Sequence, residues 1–314
     1  MTDATPSTDA TPCPTTVHAF GDDALGDLDA TGVAEAIRTG AVGRVEVAEA
    51  AIDRVRRVDP HLHAVVVERF EQALASAAAG RPTTAATVAP FDGVPAFIKD
   101  NTDVEGLPTC HGSAAFTPHP AARSAGPAAQ FLAQGYLLLG KSSLPEFGLT
   151  ASTEFVGRPA TRNPWNTARS VGASSGGSAA LVASGAVPIA HANDGGGSIR
   201  IPAAVNGLVG LKPTRRRLLD QPGARQLPVN LVAEGVVSRS VRDTARHVGF
   251  ADRWKREPTL PPIGLVEGPS ARRLRIGVLT EDLLGRPIHA DVEAVVRSAA
   301  DAFAAGHEVE PTRL

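Results

Sequence analysis

Apolar residues return every three or four positions in the first third of the chain. Val45, Ala48, Ile52 and Val55 keep this spacing, which predicts a helix with one buried face, ending before Pro60. A second helix is predicted over 67–79, stopped by Gly80, with a Pro/Thr-rich connection over 81–90. From there the texture changes to short apolar runs punctuated by glycine. Val94–Ile98, Tyr136–Leu139, Val187–Ala190 and Leu208–Leu211 each suit a buried strand. Helical patterns near 125–134 and 177–185 fall between some of them, and the alternation predicts a layered α/β domain. Residues 163–170 read as loop, and a short helix is expected to begin near Arg239. A polar, Pro-rich connection over 252–272 leads to a strand at 274–279 and a helix at 290–304. That helix carries Val292, Val295, Ala299 and Phe303 on one face, and another strand opens at 307–310. A strand opening so near Leu314 reads as an architecture whose C-terminal part is missing.

Composition refines this picture at the N-terminus. Residues 1–16 are Thr, Pro, Asp and Ala in low-complexity order, too poor in apolar surface to offset ordering entropy. They are predicted to be a disordered tail, with 17–314 as a single domain. At 43% hydrophobic residues the chain can bury a sizeable core. A net charge of −2 gives no electrostatic reason to expect nucleic acid or an anionic membrane as partner. Cys13 and Cys110 form neither a disulfide framework nor a metal-ligand spacing. The N-terminus lacks a basic region followed by an apolar one, and no long apolar run is free of polar interruption. The expectation is a soluble, cytoplasmic protein.

The chemistry concentrates in Gly172-Ala-Ser174-Ser175-Gly176-Gly177-Ser178 and Asp194-Gly195-Gly196-Gly197-Ser198-Ile199-Arg200. Glycine at this density costs backbone entropy, so two such clusters point to backbone that must approach something closely. A serine behind three glycines can be ringed by amide donors, a nest suited to an acyl-transfer oxyanion. A phosphate-binding loop fails for want of Gly-Lys-Ser/Thr or GxGxxG. Gly172-Ala-Ser174-Ser-Gly176 formally fits GxSxG, with Asp243 and His247 as conceivable partners. That elbow needs a strand running into the serine, where this sequence reads as loop.

The whole pattern resembles the amidase signature family. The blocks that carry the likeness are Gly93-Val-Pro-Ala-Phe-Ile-Lys99-Asp-Asn, Gly140-Lys-Ser-Ser-Leu-Pro-Glu146, Thr161-Arg-Asn-Pro-Trp-Asn166, both glycine clusters and Gly207-Leu-Val-Gly-Leu-Lys-Pro-Thr214. They run in the family's order over about 24–249, with a fainter continuation through 273–311. Within the family, His191–Ser198 and Val237–Asp243 look most like the branch containing 6-aminohexanoate cyclic-dimer hydrolase.

The resemblance implies an amidase-signature-like α/β/α fold with a central mixed sheet. It also implies a catalytic triad of Ser198 as nucleophile, Ser174 as bridge on a cis peptide bond, and Lys99 as base, with an acyl-enzyme intermediate. A lysine serves as base only when burial lowers its pKa, and Lys99 closes an apolar run that would carry it inward. Asp100 would point to the opposite face of the strand and need not neutralise it. Backbone N–H groups of Gly195, Gly196, Gly197 and Ser198 are the oxyanion-hole candidates. Ser175, Asp194 and Arg200 are expected to support the site, and His111 and His191 to be packing or surface residues. The reaction needs neither metal nor organic cofactor, and its partner is a small-molecule amide.

Two departures stand out: Ala173 and Arg216 occupy positions where the family often has glycine. The expected missing region would leave a bare sheet edge, open to self-association as a homodimer. Two further readings follow, a catalytically impaired amidase homologue and a glutamine-hydrolysing amidotransferase subunit.

Overall fold

The computed structural model describes residues 14–80, 89–115, 117–226, 228–254, 260–268, 271–282 and 284–312. They fall into two compact units that divide between Glu267 and Gly268. Residues 1–13 of the expected tail and 81–88 of the expected connection lie outside the described residues.

Helix α1 (Ala30–Thr39) starts at Asp29, whose carboxylate caps Gly32 N at 2.9 Å, and ends at Gly40 in the left-handed region. Helix α2 (Arg44–Leu62) buries Val47, Ala48, Ala51, Ile52, Val55, Val58 and Leu62, while Val45 is exposed. The predicted stop before Pro60 is therefore three residues early. Pro60 sits in the final turn, where its missing N–H forfeits a single hydrogen bond. Asp59 Oδ1 then takes the amides of Ala64 and Val65 at 2.7 and 3.0 Å as the chain turns away. A second correction follows. Val65–Glu68 is strand β1, and the helix behind it, α3, begins only at Phe70 and runs to Ala79. Three consecutive valines lose side-chain freedom in a helix and pack well on a pleated sheet.

Strand β2 (Pro95–Lys99), helix α4 (Gly126–Leu132) and strand β3 (Leu137–Ser142) follow close to their predicted positions. Strand β3 pairs parallel with β2 and antiparallel with β1, giving the order β1-β3-β2. The expected loop at 163–170 is instead an antiparallel hairpin, β4 (Arg162–Asn163) with β5 (Asn166–Ser170). Pro14–Thr16, assigned in sequence to the disordered tail, are held to it: Thr167 donates from N to Thr15 O at 2.9 Å and from Oγ1 to Pro14 O at 2.8 Å.

Helix α5 (Gly176–Ala183) is buried on every side and packs on β2, on β6 (Ile189–Asp194) and on β8 (Ala233–Ser238). Helix α6 (Arg200–Val205) leads into β7, which is reduced to Val209–Gly210. The second sheet runs β6-β8-β7, antiparallel throughout. Helix α7 (Val241–Trp254) presents Asp243 to the start of α1, accepting from Ala30 N and Thr31 N at 2.9 and 2.8 Å. Strands β2, β3, β6 and β8 are buried along their whole length; β2, β3 and the start of β6 therefore read as apolar runs, while β8, which carries Glu234 and Gly235, does not announce itself. The expected mixed α/β architecture is what the unit contains.

The second unit is one βαβ element. Strands β9 (Arg275–Val278) and β10 (Glu308–Pro311) pair parallel and are connected through α8 (Ala290–Ala304). Val292, Val295 and Phe303 of α8 remain exposed.

Candidate active site

Lys99 ends β2 with its side chain wholly buried, because the strand before it is buried on both faces. Its Nζ donates to Ser174 Oγ at 2.7 Å and to Asn193 Oδ1 at 2.8 Å. Burial pushes the Lys99 ammonium down to about 7, against the pull of the Glu234 and Asp194 carboxylates. Asp100 turns to the other face and meets Lys141 Nζ at 2.7 Å, so it does not neutralise Lys99.

Ser174 lies where the chain leaves β5 for α5, and the Ala173–Ser174 peptide bond is cis. Its neighbours are pinned by side chains. Thr153 Oγ1 donates to Gly172 O at 2.7 Å, and Asn206 Nδ2 donates to Val171 O at 2.8 Å. Ser175 joins the two glycine clusters: its N–H donates to Ser198 O at 3.3 Å and its hydroxyl to Asn193 O at 3.3 Å. Gly176 and Gly177 serve packing rather than ligand contact. A Cβ on Gly177 would stand 2.4 Å from Ser143 N, so α5 can approach the end of β3 only without one.

Asp194 organises the second cluster. It accepts from Gly197 N at 2.7 Å, Ile199 N at 3.2 Å and Arg200 N at 3.3 Å. The Arg200 guanidinium closes the ring with two bonds of 2.8 and 2.9 Å. Burial raises the Asp194 carboxyl, but Arg200 and these amides outweigh it and hold it at about 2. One expected oxyanion donor is thereby corrected: the Gly197 amide is committed to Asp194. The amides of Gly195, Gly196 and Ser198 remain as candidates.

Ser174, Ser198, Gly195, Gly196 and Asn193 line one cleft of about 740 Å³. Phe147, Leu149, Leu231 and Val232 form an apolar part of its wall, and Asn101, Asp103, His111 and Gln221 a polar part. The hairpin β4–β5 does bring a strand before Ser174, contrary to the loop reading, yet the GxSxG alternative gains nothing. Asp243 is bound to α1, and His247 Nδ1 lies 3.1 Å from Tyr136 Oη and Gln134 Nε2. The titratable side chain hydrogen-bonded to Ser174 is the Lys99 amine. Sequence reasoning missed Asn101 and Asn193, which exchange hydrogen bonds of 3.2 and 3.1 Å beside Lys99. The signal was present, since both stand inside the blocks Lys99-Asp-Asn101 and His191-Ala-Asn193. His191 is a buried residue facing Glu234 at 3.0 Å, and His111 lines the cleft.

Chemically, a buried amine that is uncharged above about pH 7 can draw a proton through Ser174, beside amides able to receive developing negative charge. Among the described residues no group of three or more His, Cys, Asp or Glu side chains could hold a metal, and no helix is long and apolar enough to cross a membrane.

Residues 46–314 match the Amidase family. The chain is 50% identical over 294 residues to a Mycobacterium tuberculosis (strain ATCC 25618 / H37Rv) protein described as an amidase, AmiC, covering 94% of this chain and 61% of that one. It is 40% identical over 298 residues to the 6-aminohexanoate-cyclic-dimer hydrolase of Paenarthrobacter ureafaciens, covering 90% of this chain and 58% of that one. Among solved structures, a 6-aminohexanoate cyclic dimer hydrolase superposes with a TM-score of 0.79 at 36% identity, over 93% of this chain and 61% of that one. The chain thus spans about three fifths of the length of these relatives.

Proposed function

The chain belongs to the amidase family, and on that footing we propose that it hydrolyses carboxylic amides through a Ser198–Ser174–Lys99 triad. Ser198 Oγ attacks the amide carbonyl while its proton passes to Ser174 Oγ and the Ser174 proton passes to Lys99 Nζ. The oxyanion of the tetrahedral intermediate lies against the amides of Gly195, Gly196 and Ser198, which Asp194 keeps in place through the loop. Collapse of the intermediate breaks the C–N bond. The departing amine takes its proton back along the Lys99–Ser174 path, leaving an ester on Ser198. Water, deprotonated by the same path, then attacks that ester, releasing the carboxylic acid and restoring the hydroxyl.

The observation that carries this reading is the 2.7 Å contact from Lys99 Nζ, pushed down to about 7 by burial, to Ser174 Oγ, which lines the same cleft as Ser198. The apolar wall of Phe147, Leu149, Leu231 and Val232 favours uncharged amides, linear or cyclic, of the kind the names of the relatives indicate. Incubation with an anilide, an alkyl amide, a cyclic amide and glutamine tests the proposal. Amine release from one of the uncharged amides, lost in Ser198→Ala, is expected. No release from any of them, or ammonia release from glutamine alone, would contradict it.

A further inference from the structure

Lys99 must carry a full positive charge once it has taken the proton, and a wholly buried ammonium needs a compensating anion. Two carboxylates act on it, Glu234 and then Asp194. Asp194 is already matched by the Arg200 guanidinium and three backbone amides. Asp100, the next residue along β2, is matched by Lys141. Glu234 is different.

Glu234 stands directly opposite Asn193 in the antiparallel β6–β8 ladder, so the two side chains share a face. Asn193 is the residue whose Oδ1 receives Lys99 Nζ. Two residues back on β6, also on that face, His191 Nε2 lies 3.0 Å from Glu234 Oε2. Both residues are buried, at 2% and 4% exposure. Glu234 Oε1 has no hydrogen-bond partner among the described residues. A buried carboxylate with one oxygen held and the other unmatched is costly unless a positive charge appears nearby. His247, pushed down to about 3 by burial and by His191, lies with Nδ1 3.1 Å from the Tyr136 hydroxyl, which burial raises. Neither supplies a cation at neutral pH.

Resting on the amidase reading above, we propose that Glu234, oriented by His191, is the positioning residue that supplies the counter-charge for the Lys99 ammonium formed during acylation. It touches neither substrate nor the reacting serines. It acts through Lys99, by favouring the charged form at the moment the proton arrives, and Asn193 sets the lysine's place between them.

The direct test reads Lys99 itself. The lysines of the chain are Lys99, Lys141, Lys212 and Lys255, few enough for ¹³Cε titration by NMR, with Lys99→Arg giving the assignment. Glu234→Gln removes the charge at constant shape and should lower the Lys99 midpoint by about one pH unit or more. Glu234→Asp keeps a carboxylate and should recover most of that fall, which a merely structural role of Glu234 would not do. Glu234→Met serves the same purpose if the amide variant does not fold. In activity, the acid limb of the kcat/KM profile should move to lower pH and kcat should fall about tenfold, with KM little changed. An unchanged Lys99 midpoint in folded Glu234→Gln would overturn the proposal. Failure of the amidase reading shows separately, as a wild-type chain that turns over no amide while its Lys99 midpoint still responds to Glu234.

Discussion

Lys99 and Lys141 are buried on adjacent parallel strands, and of the two only Lys141 has its ammonium against a carboxylate. Ile98, not Lys99, is the register partner of Lys141, so the two side chains leave the sheet on opposite faces. Lys141 meets Asp100 together with Pro108 O and Thr109 Oγ1. Lys99 meets a serine and an asparagine. One residue type, one sheet and one step of register separate an ion pair from a candidate base.

On the proposed mechanism, the titration of Lys99 governs the pH dependence. Only the free amine can take a proton, so kcat/KM should rise with pH and level off above about 7. Lys99→Ala should reduce kcat by about 10²–10⁴ at the plateau. Stability carries the same signature. Between the folded value of about 7 and the ordinary 10.5, the unfolded chain binds the extra proton, so this group's contribution makes folding more favourable as pH rises. Urea titrations across that window should show up to about 1.4 kcal/mol per pH unit from this group, absent in Lys99→Met.

Lys141 should matter to folding and not to catalysis. Lys141→Met strands Asp100 in the interior and should cost about 3–5 kcal/mol in urea unfolding. Where the variant remains folded, the acid limb of its activity profile should stay where the wild type has it.

Asp194 and Arg200 should separate although they form one ion pair. Asp194→Ala releases three backbone amides from a buried carboxylate and lets the glycine loop relax, so kcat should fall by about 10²–10³. The Arg200 side chain is 52% exposed, and Arg200→Ala leaves the amides on Asp194 in place. Its loss should stay within about tenfold in kcat/KM.

The glycines of the two clusters differ in kind. Gly177→Ala drives a Cβ against the Ser143 backbone and should destabilise the fold by about 1–3 kcal/mol. A Cβ on Gly196 meets nothing within 4 Å, so Gly196→Ala should leave stability within about 0.5 kcal/mol while still crowding the cleft. Thermal melts of the two variants side by side make the comparison.

Much of this was legible in the sequence where residues act alone on their element. Buried strands β2 and β3 announced themselves as apolar runs, and Gly40 and Gly80 end helices as their type demands. Misreadings arose where a neighbour decides. Val65–Glu68 is a strand because β3 lies beside it, and Asp59 carries α2 past Pro60 by taking amides beyond the turn. Arg216, at a position where glycine was expected, keeps the left-handed backbone at φ 65°. In the site, residue types pointed to Lys99, Ser174 and Ser198. The loss of Gly197 as a donor and the Asn193–Glu234 alignment depend on register and loop closure, which no spacing in the chain reveals.

The central claim is that Ser198 is a nucleophile activated through Ser174 by Lys99. A fluorophosphonate probe followed by peptide mapping tests it most directly. The account predicts labelling at Ser198 that grows as pH passes about 7 and disappears in Lys99→Ala. Labelling at Ser174 instead, or no labelling of the folded chain at any pH, would contradict it.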